Sequence, residues 1–389
     1  MRGNGTMDRP RVAVVIKTSQ GAKWLVPQVR QMVNRGANVL VALPEGEGHL
    51  AEDLDATGAR VERLAWDFSF KPHLSTIAGL NRLRRTVQRH GASVVFYHLY
   101  ASALAGRFAS LGLPVRRVMM VAGPLYLENS TIRRVERILC RLDHAIVAGS
   151  DYTRRMYAAL GYPESQMEYI PYGVDCERFR PAAPDRSHIS TVGESDFVAI
   201  MVAFVYAPKD LVFPGVGIKG HELLLQAWSR FSKVHAEVKL LLVGGGFDQE
   251  SEEYRQGLMS RYGIAERSDV EWLDSVEDVR PYYSRADVSV SPSLSENHGA
   301  ALEASAMGVP SIVSEAGGLP ETVSQDSGWV VQTGSEDAIL EALEQAYLAK
   351  KSGQLDEMGG AARSRALEMF DEADCSRRVA GIVLREAVK

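Results

Sequence analysis

The chain has 389 residues, with 46% hydrophobic and 24% charged side chains and a formal net charge of −5. The length exceeds one ordinary core and points to two domains, and the composition excludes a disordered chain. Apolar runs stay short of the ~18 residues a membrane span needs, the first residues lack the apolar core of a secretory signal, and the charge balance gives no sign of nucleic-acid binding. RVAVVI (residues 11–16) reads as a buried strand and is followed by a helical stretch from about Lys23 to Arg35, closed by Gly36. NVLVAL, RVERLAW, SVVFYHL, RRVMMV and HAIVAGS continue the strands, with helical segments between them. IPYGVDCERFRP (170–181) and the polar stretch to residue 196 read as turns and a linker. The alternation then restarts with FVAIMVAFV. KGHELLLQAWSRF is helical, placing Leu224, Ala227, Trp228 and Phe231 on one face. KLLLVGGG, VEWL, DVSVSPS and PSIVS are further strands, and SEDAILEALEQAYLA is a helix capped by Ser335.

This rhythm predicts two doubly wound parallel α/β domains in tandem. The expected boundaries are 1–181 and 182–372, with a C-terminal helix over 373–389 packing back on the first domain. Cys140, Cys176 and Cys375 lie far apart without a CxxC, which fits reduced cytosolic thiols better than a disulfide frame or a zinc site. Thr76 to Leu160 contains 13 arginines, no lysine and 4 acids, about +9 by counting. Arg82, Arg84, Arg85 and Arg89 share one predicted helix, and Arg133, Arg134, Arg137 and Arg141 another. Such rows are either solvated helix faces or a surface that meets an anionic lipid or a phosphorylated acceptor.

The stretch SENHGAALEASAMGVP (295–310) places Glu296 and Glu303 around nearly bulk-free residues. It follows a predicted strand, at the edge where open α/β sheets bind ligands. With a helix starting near Gly299, unpaired amides at Gly299, Ala300 and Ala301 form a phosphate cradle, and the two carboxylates can accept from sugar hydroxyls on either side. The competing reading makes both glutamates first-turn acids favoured by the helix dipole.

SPSLSENHGAALEASAMGVPSIVSEAGGLPE resembles the C-terminal signature of family-four retaining glycosyltransferases, which have the GT-B architecture. IKGHELLLQAW, LLLVGGG, VEWLDSVEDVRPYYSRADVSVSPS and IPYGVDCERFRP resemble other segments of that family in the same order. The resemblance covers most of residues 145–345. It implies that Glu303 holds the ribose of a nucleotide-sugar, Glu296 holds hydroxyls of the transferred sugar, and the amides of His298 to Ala301 together with Lys219 hold the diphosphate. It also implies that Gly21, after the first strand, leaves room at the reacting centre. No cofactor or metal is implied, and the donor is a UDP- or GDP-sugar. The acceptor is a saccharide or lipid-linked saccharide, with a small natural product, or an inactive binding homologue, as alternatives. The protein is then cytoplasmic, with the inner membrane face as a second location.

Several positions depart from the family. Six residues instead of seven separate the glutamates, so counting back from Glu303 reaches Ser295, whereas the ENHG context favours Glu296. Phe204 falls near the place of a family arginine, and Lys209 is the candidate to replace it. Where the family has a histidine after the RRVMMV strand, this chain reads AGPLYLEN, which makes Tyr126, Glu128 and Asn129 the polar candidates for the acceptor side. His98 is read either as a cleft residue or as a structural histidine. The Asp-x-Asp of EDLDA sits on a predicted helix and reads as a solvated face rather than a metal site.

Overall fold

The computed structural model describes residues 9–71, 73–123, 125–182, 193, 196–208, 213 and 215–389. Lys209 and most of the expected linker lie outside these. Two compact units emerge, one of residues 1–173 with 372–389 and the other of residues 174–371.

The first unit is built on β1 (Arg11–Val15), β2 (Asn38–Pro44), β3 (Arg60–Leu64), β4 (Val94–His98), β5 (Arg116–Val121), β6 (Ala145–Ala148) and β7 (Met167–Tyr169). They form one parallel sheet in the order β3-β2-β1-β4-β5-β6-β7. Apolar runs are required because both faces of the sheet are covered. Along β1, Val12 and Val14 enter one core cluster while Ala13 and Val15 enter the other, the period-two alternation of a strand. The helix Leu25–Asn34 buries Leu25, Val29 and Met32 on the first of these faces, and Gly36 follows it at φ 83°. The C-terminal helix Glu372–Ala387 covers the same face with Cys375, Val379, Ala380, Ile382 and Val383, and its Glu386 accepts from Arg116 at 2.6 Å.

Beneath the opposite face lies a buried charge network. Arg107, on the helix Tyr100–Ala109, donates two 2.8 Å bonds to Glu136 and further bonds to Asp143, and all three side chains are shielded from solvent. Tyr97 and Tyr157 donate to Asp143 and Glu136, so the buried acids are hydrogen-bonded as well as ion-paired.

The second unit contains β8 (Phe197–Val202), β9 (Val238–Val243), β10 (Val270–Leu273), β11 (Val288–Ser291), β12 (Ser311–Ser314) and β13 (Gly328–Val331), parallel in the order β10-β9-β8-β11-β12-β13. In the helix His221–Phe231, Leu224, Ala227, Trp228 and Phe231 are fully buried. Ser335 caps the helix Glu336–Ser352 by accepting from the Ala338 N–H at 3.1 Å. The chain enters this unit at Val174, ahead of the boundary expected after Pro181. Val174 donates to Phe370 O at 2.7 Å, Val174, Cys176 and Phe179 join the core that contains Phe370, and Arg363 donates to the Cys176 and Phe179 carbonyls.

Candidate active site

Strand order reverses between β8 and β11, which pair directly. Loops leaving the carboxyl ends of such neighbours diverge and open a ligand crevice. Lys219 follows β8 and Glu296 follows β11, so the topology itself brings them to one place. Leu294 N–H donates to Ile218 O at 2.7 Å and stitches the two loops together. Gly220 allows this approach, because a Cβ there would stand 2.3 Å from Pro292 O, and its φ is 76°. The Lys219 ammonium pairs with Glu296 Oε2. Burial works against the ammonium, but the adjacent Glu296 carboxylate outweighs it and holds the Lys219 pKa above the ordinary lysine value. The other Glu296 oxygen accepts from the Asn297 N–H at 3.0 Å. Of the two registers left open by the sequence, Glu296 is the one beside Lys219, while Ser295 is buried.

After Glu296 the backbone turns at Gly299 (φ 52°), and a Cβ there would come within 3.1 Å of the Glu296 carboxylate. The helix that follows is short, Ala301–Ala306, and starts later than the sequence suggested; Ala300 precedes it without a side-chain cap. Glu303 lies in its first turn. Burial pushes the Glu303 carboxyl up to about 7, against the opposing pull of Arg178 and of a hydrogen bond from Tyr283. Tyr283, itself fully buried, reaches Ala300 O at 3.3 Å. His298 turns inward: its ring is buried edge-on against Phe370 with centroids 5.2 Å apart, and Nε2 is 3.6 Å from Glu321 Oε2.

Phe204 is half exposed and packs edge-on against Phe247 at 6.0 Å, while Tyr206 stacks on Phe247 at 4.9 Å. Phe204, which the resemblance set near the place of a family arginine, thus presents an aromatic ring held by its aromatic neighbours.

In the first unit the strand order reverses at β1 and β4. Gly21, after β1, has φ 63° with open space where a Cβ would be, so its backbone and not crowding calls for glycine. His98 ends β4 and is completely buried among Trp24, Phe96 and Tyr172, with Nδ1 3.1 Å from the Tyr172 hydroxyl. Burial pushes its pKa down to about 3, so the imidazole is neutral. Leu99 follows at φ 67°, a backbone conformation L side chains rarely adopt and one that clusters at functional sites. Tyr126 stacks on Tyr100 at 4.4 Å, and its hydroxyl lies 2.6 Å from that of Tyr157, so its polar end is tied into the Arg107 network. Asn129 caps the helix Ser130–Leu139, accepting from the Thr131 and Ile132 N–H groups. Glu128 ends the short helix before it and is half-buried. In EDLDA, Glu52 pairs with Arg63 at 2.9 Å.

Arg178 and Tyr283, which pull the Glu303 carboxyl down against its burial, were not singled out from the sequence. Both lie inside motifs quoted above, ERFRP and RPYYSR. Nothing in those motifs distinguishes them from neighbouring arginines and tyrosines until the chain is folded.

Two family descriptions match the chain: "Glycosyltransferase Family 4" over residues 25–178 and "Glycosyl transferases group 1" over residues 208–348. Among curated proteins, the GDP-mannose-dependent alpha-(1-6)-phosphatidylinositol monomannoside mannosyltransferase of Mycolicibacterium smegmatis is 27% identical over 281 residues, 68% of this chain and 69% of that protein. The D-inositol 3-phosphate glycosyltransferase of Nocardiopsis dassonvillei is 27% identical over 53% of this chain and 46% of that protein. Among solved structures, a glycosyltransferase from Rickettsia africae superposes with a TM-score of 0.80 at 17% identity, covering 98% of this chain and 99% of that one. Anabaena HepE, solved with UDP and glucose, gives 0.78 at 18% identity, covering 96% and 99%. The two reversed parallel sheets, the ordered motifs and these matches agree, and the chain belongs to the family-four glycosyltransferases of GT-B architecture.

Proposed function

We propose that the protein moves a sugar from a UDP- or GDP-sugar to a hydroxyl of a saccharide or lipid-linked saccharide, with retention of anomeric configuration. The observation that carries this reading is the Lys219–Glu296 pair at the strand reversal, beside the small-residue turn at Gly299 to Ala301 and one helical turn from Glu303. An arriving diphosphate competes for the Lys219 ammonium and the uncapped amides. Glu296, released from Lys219, then accepts from hydroxyls of the transferred sugar, while Glu303 accepts from the ribose. Lys219 and the amides stabilise the charge that grows on the diphosphate as the glycosidic bond breaks, a role that calls for no metal. The leaving diphosphate oxygen takes the acceptor hydroxyl's proton on the same face, which gives retention. Relatives that act on phosphatidylinositol mannosides and inositol phosphate support a polar, lipid-linked or phosphorylated acceptor.

Incubation with UDP- and GDP-sugars, following nucleoside diphosphate release, tests the reading. Turnover should fall on the order of 100-fold in Glu296→Gln, because orientation of the reacting sugar is lost, while nucleoside diphosphate affinity should not fall, since the carboxylate that competes for Lys219 is gone. Lys219→Ala should lower both. A thermal shift with nucleotide-sugars and no release would instead mark a binding homologue. Inversion seen in the product by NMR would refute the same-face route.

A further inference from the structure

Lys219 sits in a loop that is held from two sides. On one side Leu294 N–H reaches Ile218 O and Gly220 lies against Pro292 O, which fixes the loop to the strand exit that carries Glu296. On the other side stands the helix Gln249–Arg261, where Ser251 and Tyr254 are about one turn apart on one face. Ser251 Oγ accepts from the Ala207 N–H at 3.0 Å. The Tyr254 hydroxyl accepts from the Gly217 N–H at 3.2 Å and donates to Glu222 Oε2 at 3.3 Å. One phenol oxygen thereby spans Lys219, with a bond to the main chain before it and a bond to a carboxylate after it. Glu222 lies in the first turn of the helix His221–Phe231 and is buried, and its other oxygen pairs with Arg261, at the end of the helix that carries Tyr254. The ring is fitted to the loop as well. A Cβ at Gly217 would stand 2.9 Å from Tyr254 Cε1 and 2.7 Å from Tyr206 O, so glycine is what lets ring and loop approach this closely.

We propose that Tyr254 is a positioning residue for Lys219: its hydroxyl clasps the loop at Gly217 and Glu222 and so aims the ammonium at the leaving diphosphate. This role rests on the transferase reading of Lys219. The ammonium pairs with Glu296 in the free protein and turns to the diphosphate during reaction, so the side chain swings while its Cα must stay in place. A clasp on the residues either side of Lys219 restrains the Cα and leaves the side chain free. Without it the loop can drift, and a displacement of about 1 Å is enough to cost a large share of the transition-state stabilisation. Tyr254 lies outside every motif quoted from the sequence, and only the folded chain brings it to Lys219.

The experiment is a double-mutant cycle of Tyr254→Phe and Lys219→Ala on the full chain, read by calorimetry with UMP, UDP, GMP and GDP and by donor turnover. Tyr254→Phe keeps the ring and removes only the hydroxyl. It should bind the nucleoside diphosphate about five- to tenfold more weakly and lower kcat by a similar factor, the order that one neutral hydrogen bond supplies. Affinity for the matching monophosphate, which lacks the terminal phosphate, should stay within about twofold of wild type and shows that the variant is folded with the rest of the nucleotide site intact. In the Lys219→Ala background, Tyr254→Phe should lower neither diphosphate affinity nor kcat further, because the residue it positions is gone. Wild-type behaviour of Tyr254→Phe would overturn the assignment. Equal losses for mono- and diphosphate would make the hydroxyl a part of the general packing, and a full loss added to that of Lys219→Ala would make its effect independent of the lysine; either result overturns it too. Unchanged diphosphate affinity and turnover in Lys219→Ala alone would refute the transferase reading of Lys219 and the positioning role with it, a failure told apart from the others because it appears before Tyr254 is touched.

Discussion

Replacing Glu303 by glutamine should move stability and binding in opposite directions. Burial raises this carboxyl from 4.5 to about 7. A carboxyl with a raised folded pKa holds its proton more tightly when folded than when unfolded. Stability is therefore lost as pH rises from 4.5 towards 7, and the full penalty is carried above 7. The gap between 4.5 and about 7 corresponds to a ceiling of about 3 kcal/mol. Glutamine has the same shape and never ionises, so Glu303→Gln should melt higher than wild type above pH 7, with the advantage shrinking towards pH 4.5. Ligand binding reverses the sign. A ribose diol donating to the carboxylate makes charge-assisted bonds worth about 1.5–3 kcal/mol, so above pH 7 the variant should bind nucleoside diphosphate at least about tenfold more weakly. Wild-type affinity should fall up to tenfold for each pH unit below 7, and the variant should lack that component. Calorimetry with UDP and GDP on either side of pH 7, alongside thermal melts of the free protein, reads both effects. A variant that melts lower than wild type at alkaline pH would refute the burial penalty. Unchanged nucleoside diphosphate affinity would place the ribose elsewhere and leave Glu303 an acid at a helix start.

Gly220→Ala would bring a Cβ within 2.3 Å of Pro292 O at a φ of 76°. The loop must shift, Lys219 should leave Glu296, and transfer should fall on the order of 100-fold, far more than the melting temperature implies; wild-type turnover in a folded variant would remove the close approach from the account. Arg107→Met leaves Glu136 and Asp143 buried without their cation and should destabilise the protein by about 3–5 kcal/mol in denaturant unfolding. A neutral result there would mean that both acids protonate at little cost.

Short apolar runs of period two and helical faces of period 3.6 made most strands and long helices readable from the sequence alone, because each such pattern has one way to bury itself. β7 and β13 escaped that reading. Both are short edge strands with partly exposed side chains, β7 only three residues with a central glutamate and β13 only Trp-Val-Val behind a glycine, and pairing to β6 and β12 is what makes them strands. The motif around Glu296 and Glu303 was likewise legible, since small residues and acids at a strand exit have a local meaning. Lys219, 77 positions before Glu296, came forward only through the family resemblance; its pairing with that carboxylate is a product of the β8/β11 reversal. Tertiary structure alone also decided protonation and direction. The carboxyl of Glu303 is raised by what surrounds it, the His298 ring is taken inward by Phe370, and the Tyr126 hydroxyl is taken by Tyr157. It sorted the arginines too, placing Arg107 between buried acids, spending the first row on backbone carbonyls and Glu62, and leaving the second row in solvent. Composition counts charges, but burial and partners, set by residues far away in the chain, determine what each charge does.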